Sequence, residues 1–147
     1  MEGDYNMFAG EYQHNIDDKG RIIMPSKFRD KLSEPFYITI GDNGCLFVYT
    51  QSEWEKVENK LNLTTGGNSQ KIKRIFFSNA CECELDKQGR TLIPAKLRQF
   101  AGINRDVTVI GVSHKIEIWA TERWNSYIGT EADTLEEISA QIEQLSL

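Results

Sequence analysis

The stretch Asp17-Asp18-Lys19-Gly20-Arg21-Ile22-Ile23-Met24-Pro25-Ser26-Lys27-Phe28-Arg29 returns later in the same chain as Asp86-Lys87-Gln88-Gly89-Arg90-Thr91-Leu92-Ile93-Pro94-Ala95-Lys96-Leu97-Arg98. Asp, Gly, Arg, Pro, Lys and Arg recur at a constant offset of 69, with mostly apolar residues matched between them. A chain of 147 residues holding such a repeat is expected to fold as two halves around one core.

Each copy reads as a tight turn between two strands, followed by a helix start. Asp at the first place of a type I turn and Gly after it, where a left-handed residue forms a bulge, suit an antiparallel hairpin. The strands are expected over 12–16 into 21–24, and over 81–85 into 90–93. Pro25 and Pro94 then stop a strand and open a helix, because proline lacks the amide donor yet fits the first helical turn. Arg21 and Arg90 thus leave a stiff ribbon, while Lys27, Arg29, Lys96 and Arg98 come from the helices behind it.

Working outward, 36–40 and 45–49 are β-rich runs joined by the turn at Gly41-Asp42-Asn43-Gly44. Ser52 and Glu55 have capping-box spacing and open a helix with Trp54, Val57 and Leu61 on one face. A loop over 63–69 precedes a helix over 70–80 that places Ile72, Ile75 and Phe76 on one side and Lys71, Lys73 and Arg74 around the other. In the second repeat, Gly102 ends a helix, 107–110 and 115–119 repeat the strand pair at an offset of 70, and Trp124 falls on Trp54. Thr134 and Glu137 have the same box spacing before Leu135, Ile138, Ile142 and Leu145, an apolar stripe on a last helix. That stripe is a candidate subunit contact or packs on its own domain.

The net charge of −5 argues against nucleic-acid binding through overall basicity. The distribution alters that reading. From Glu131 onward there are five acidic residues and no basic one, so the remainder is neutral and the helix after each turn is locally positive. A hydrophobic content of 39% supports a packed interior, and no run approaches the roughly 20 apolar residues of a membrane span. Three cysteines, Cys45, Cys81 and Cys83, lack Cys-x-x-Cys spacing or a nearby His and read as reduced thiols. His14 and His114 are isolated and read as structural.

The paired Asp-x-x-Gly-Arg turns, the helix starts after Pro25 and Pro94, and the Met-Phe-x-Gly-Glu-Tyr opening at Met7 to Tyr12 resemble the MraZ family, whose halves are each related to AbrB-type transition-state regulators. The resemblance covers residues 7 to about 127. It implies a mainly β, α+β fold with flanking helices: a pseudo-two-fold swapped-hairpin β-barrel built from two tandem AbrB-like halves. The first half is expected over 7–62, a linker and connecting helix over 63–80, the second half over 81–130, and an acidic amphipathic helix over 131–147. The resemblance further implies a ring-forming transcriptional regulator, cytoplasmic and nucleoid-associated. Its target would be the promoter of a bacterial cell-division and cell-wall gene cluster that includes its own gene. The family pattern marks Asp17 and Arg21, and Asp86 and Arg90, with Gly20 and Gly89 in the supporting turns.

An arginine can donate two parallel bonds to guanine O6 and N7, and a two-stranded ribbon fits the major groove. Arg21 and Arg90 are therefore the candidate base readers, against the plainer reading that each only pairs with its own Asp. Lys19, Lys87, Lys27, Arg29, Lys96 and Arg98 are candidate phosphate contacts. The expected partner is double-stranded DNA carrying direct repeats, bound by a ring of identical copies, with no membrane and no cofactor. Two symmetric aspartates, Asp17 and Asp86, evoke a two-lobed acid protease, but an Arg four residues after each would keep both ionised where a shared proton is needed. No enzyme is expected. The alternative function is an oligomeric scaffold that binds a protein.

Overall fold

The computed structural model describes residues 7–130 and 135–147. The chain order is β1 (Phe8–Asn15), β2 (Arg21–Ile23), α1 (Ser26–Arg29) running into a 3-10 turn (Asp30–Leu32), β3 (Phe36–Ile40), β4 (Leu46–Tyr49), α2 (Gln51–Leu63) and α3 (Ser69–Ser78). The second half continues with β5 (Cys81–Cys83), β6 (Arg90–Leu92), α4 (Ala95–Ala101), β7 (Asp106–Ser113), β8 (Lys115–Ala120), α5 (Thr121–Thr130) and α6 (Leu135–Leu145). The result is a mixed α/β architecture whose strand pairs are antiparallel.

The strands part company where the sequence suggests local hairpins. Each turn forms as expected: Gly20 N–H donates to the Asp17 carbonyl at 3.0 Å and Gly89 N–H to that of Asp86 at 3.0 Å. Beyond the turns, however, β1 pairs with β7, and β2 pairs with β6. Likewise β5 pairs with β3. A turn fixes how the chain reverses locally, whereas a ladder forms with whichever strand buries the most apolar surface. Here that partner lies in the other repeat.

The six-stranded sheet runs β1-β7-β8-β4-β3-β5, and β2-β6 form a separate two-stranded ribbon. Two cross-strand pairs join residues that are repeat equivalents of each other: Ile22 opposite Thr91 in the ribbon, and Phe47 opposite Glu117 in the sheet. A pseudo-two-fold axis therefore passes through both. The register also refines the offset. Phe36 faces Cys83 and Val107 faces His14; since 14 and 83 are equivalent, so are 36 and 107, an offset of 71 in β7 where the sequence suggests 70.

The core lies beneath the ribbon. Ile22, Met24, Ile93 and Leu97 from the two copies of the repeated stretch are buried against Ile38, Val48, Ile116 and Ile118 of the sheet. Phe28 meets Phe8 and Tyr12 edge to face, at ring separations of 5.2 and 5.4 Å. Trp54 and Trp119 are buried, in separate clusters. Helix α2 begins earlier than Ser52: Thr50 is its N-cap, its hydroxyl accepting from Glu53 N–H at 3.3 Å. The box expected at Thr134 lies outside the described residues, as do residues 1–6.

Candidate nucleic-acid interface

Each turn is organised by its aspartate. One Asp17 oxygen accepts from the backbone N–H groups of Lys19 (3.0 Å) and Arg21 (2.8 Å), and the other accepts from Arg21 Nε at 2.8 Å. Asp86 repeats this with Gln88 N–H (2.9 Å), Arg90 N–H (2.8 Å) and Arg90 Nε (2.8 Å). The Arg21 backbone N–H, followed by its side chain and the Lys19 N–H, holds the Asp17 carboxyl below the usual carboxylate range against a smaller opposing desolvation. Asp86 is lowered in the same way by Arg90 and Gln88.

Of each guanidinium, the brace engages only Nε. Among the described residues, the terminal nitrogens of Arg21 and Arg90 make no hydrogen bond, and the side chains retain 28% and 27% of their exposure. Alternation along the ribbon buries Ile22 and Thr91 and turns their neighbours outward. Because Arg21 faces Leu92 and Ile23 faces Arg90, the outer face carries the two arginines on one diagonal and two apolar side chains on the other. Diagonal neighbours of this kind lie roughly 7–8 Å apart. Ile23 is 41% exposed and Leu92 52%. The sequence reading missed this apolar pair, although period-two alternation from buried Ile22 would have found it.

The helix arginines cross over between repeats. Arg29 Nε donates to the Met24 carbonyl at 2.8 Å, and an Arg98 terminal nitrogen donates to the Ile93 carbonyl. Arg98 packs behind the first turn, where a Cβ on Gly20 would meet it, and Arg29 packs behind the second, where a Cβ on Gly89 would meet it. Both glycines are left-handed, at φ +84° and +80°. Each turn is thus backed by the other half's helix. Lys27 and Lys96 are exposed on those helices, and Lys19 and Lys87 on the turns. The last two are not equivalent: Lys19 matches Gln88, and Lys87 matches Asp18. Arg105, also absent from the sequence reading, lines a cleft beside the first turn with Asp17, Asp18 and Arg98.

Asp42, Cys45 and Glu117 bring ligand-type atoms within 4.8 Å of one another. Burial, then Glu117 and Asp42, pushes the Cys45 thiol up to about 12, and Glu117 already accepts from Trp119 Nε1 at 2.9 Å. A thiol in that state is protonated at neutral pH. None of the described helices is long and apolar enough to cross a membrane.

The family model described as "MraZ protein, putative antitoxin-like" matches twice, over residues 7–73 and 76–144. The chain belongs to the MraZ family. It is 50% identical over 144 residues to the transcriptional regulator MraZ of Lachnoclostridium phytofermentans, covering 96% of this chain and 99% of that one. It is 48% identical to the protein of that name from Pelotomaculum thermopropionicum, covering 96% and 99%, and 47% identical to that of Halothermothrix orenii, covering 96% and 100%. These MraZ proteins are named as regulators rather than enzymes, and the two-copy match coincides with the repeat that builds the ribbon.

Proposed function

We propose that this MraZ-family chain is a transcriptional regulator that binds double-stranded DNA through the outer face of the β2-β6 ribbon. The observation that supports this reading is that Arg21 and Arg90 stand diagonally on the same face of the ribbon, each steadied at Nε by its own aspartate, with the terminal nitrogens left outside that brace. Each fork suits guanine O6 and N7 in the major groove, and fixing it before DNA arrives reduces the ordering cost of binding. Ile23 and Leu92 suit the C5-methyl group of thymine on the same groove floor. Lys19, Lys27, Lys87 and Lys96 supply phosphate contacts, while Arg29 and Arg98 hold the turns.

The ribbon closing over the sheet makes a swapped-hairpin barrel that keeps both arginines on one rigid body. One such face is small. Several identical faces in a ring-shaped homo-oligomer raise affinity for direct repeats through effective concentration, with no new contact. The cytoplasm, in association with the nucleoid, is the setting such a regulator requires. Its target is the promoter of the cell-division and cell-wall gene cluster, including its own gene.

A gel shift on the DNA upstream of the chain's own gene tests this. Selective binding that weakens as salt rises supports the reading. Equal affinity for that DNA and a shuffled sequence overturns it.

A further inference from the structure

Helices α3 and α6 hold equivalent places: α3 follows α2 at the end of the first repeat, and α6 follows α5 at the end of the second. Their fates differ. Phe76 of α3 stacks on Trp54 at 5.7 Å, Phe77 meets the same ring edge-on at 5.8 Å, and the Thr39 hydroxyl donates to the Phe76 carbonyl at 2.8 Å. Helix α6 has no aromatic residue and no buried one. Leu135, Ile138, Ile142 and Leu145 remain 85%, 38%, 47% and 67% exposed. Phe47, which lines an open groove beside α3, is replaced at the equivalent place in the second half by Glu117.

The first half offers what the second lacks. Beside α3 runs a mostly apolar groove of about 490 Å³ whose walls include Ile40, Phe47, Ile72, Ile75 and Phe76, with Asp42 and Lys71 also lining it. Ile72 and Ile75 are themselves 50% and 44% exposed, and α6 of the same chain does not line the groove. Helix α3 carries Lys71, Lys73 and Arg74 and no acidic residue, the opposite of α6. At a rise of about 1.5 Å per residue, the two helices have nearly the same length.

We propose that α6 of one copy lies along α3 of a second copy. The Leu135, Ile138, Ile142 and Leu145 stripe enters the groove, and the three glutamates face Lys71, Lys73 and Arg74. The contact joins different surfaces on the two copies. It is therefore heterologous, and repetition closes a ring where the rotation allows. This inference rests on the self-association included in the proposed function, but not on DNA binding.

Full-length charge-reversal variants test it by sedimentation velocity without DNA. The first variant is E136K/E137K/E143K, with positive charge on both helices; the second is K71E/K73E/R74E, with negative charge on both. Each is expected to raise the concentration needed for assembly by about tenfold or more, with unchanged circular dichroism. Mixing the two restores opposite charges between copies only, and mixed assemblies should return at the parent's concentration. Parent-like assembly by either variant alone overturns the α3–α6 contact while leaving self-association standing. Loss in both variants without recovery on mixing places the pairing within one chain and overturns it too. A parent that stays monomeric refutes self-association itself.

Discussion

Ile22 and Thr91, equivalent residues of the two repeats, stand directly opposite each other at the centre of the ribbon. On either side, Met24 N–H donates to the Gly89 carbonyl and Ile93 N–H to the Gly20 carbonyl, both at 2.8 Å. Neither half completes this ribbon alone. Residues 7–80 expressed by themselves are therefore expected to be unfolded or to dimerise by pairing two copies of β2. Size-exclusion chromatography with circular dichroism checks this, and a folded monomer would refute the dependence of each half on the other.

Gly20 sits at φ +84° with Arg98 packed behind it. Gly20→Ala should cost about 1–2 kcal/mol from the left-handed backbone alone. Adding Arg98→Ala relieves the contact but not that strain, so the double variant should not regain parental stability. Urea unfolding measures both, and a Gly20→Ala cost within error of zero would show that the turn rearranges freely.

The carboxyls of Asp17 and Asp86 have lowered pKa values in the folded chain, first through the backbone N–H groups of Arg21 and Arg90. A depressed carboxylate contributes stability that is present above its unfolded pKa and is lost as pH falls through the lower folded value. The parent should therefore lose stability in acid more steeply than D17N/D86N, with the gap between them shrinking below the ordinary value of 3.8. Urea midpoints taken from neutral pH into acid test the sign. A gap that stays constant with pH contradicts it.

Ile23 and Leu92 flank the two arginines on the ribbon's outer face. If they meet thymine methyl groups, replacing thymine by deoxyuridine in the bound DNA should weaken binding by the parent. The I23A/L92A variant should bind the two DNAs alike. Fluorescence anisotropy on the paired duplexes reads this directly, and equal sensitivity in parent and variant removes the apolar pair from recognition.

Much of this arrangement was legible in the sequence because the repeat fixes equivalences. Asp17, Gly20 and Arg21 specify their turn through local chemistry alone, as do Asp86, Gly89 and Arg90. The pairing of β1 with β7, β2 with β6 and β5 with β3 was not readable from those residues alone, since the same turn serves a local hairpin and a ladder between halves. Thr50 escaped notice as a cap because Ser52 and Glu55 have the same nominal spacing two residues later. Arg29 and Arg98 were legible as candidate phosphate contacts but not as supports of the opposite turn. Their carbonyl partners and the glycine surfaces behind which they lie become neighbours only once the two halves interlock.

The ribbon arginines carry the central claim, and quantitative competition between the upstream DNA and a shuffled duplex tests it most directly. Replacing Arg21 or Arg90 by Ala should remove about 1–3 kcal/mol of discrimination. Replacing Lys27 or Lys96 should instead weaken both duplexes alike and flatten the log-affinity salt slope by about 0.9 per contact. Undiminished discrimination by a folded R21A/R90A variant would contradict the account.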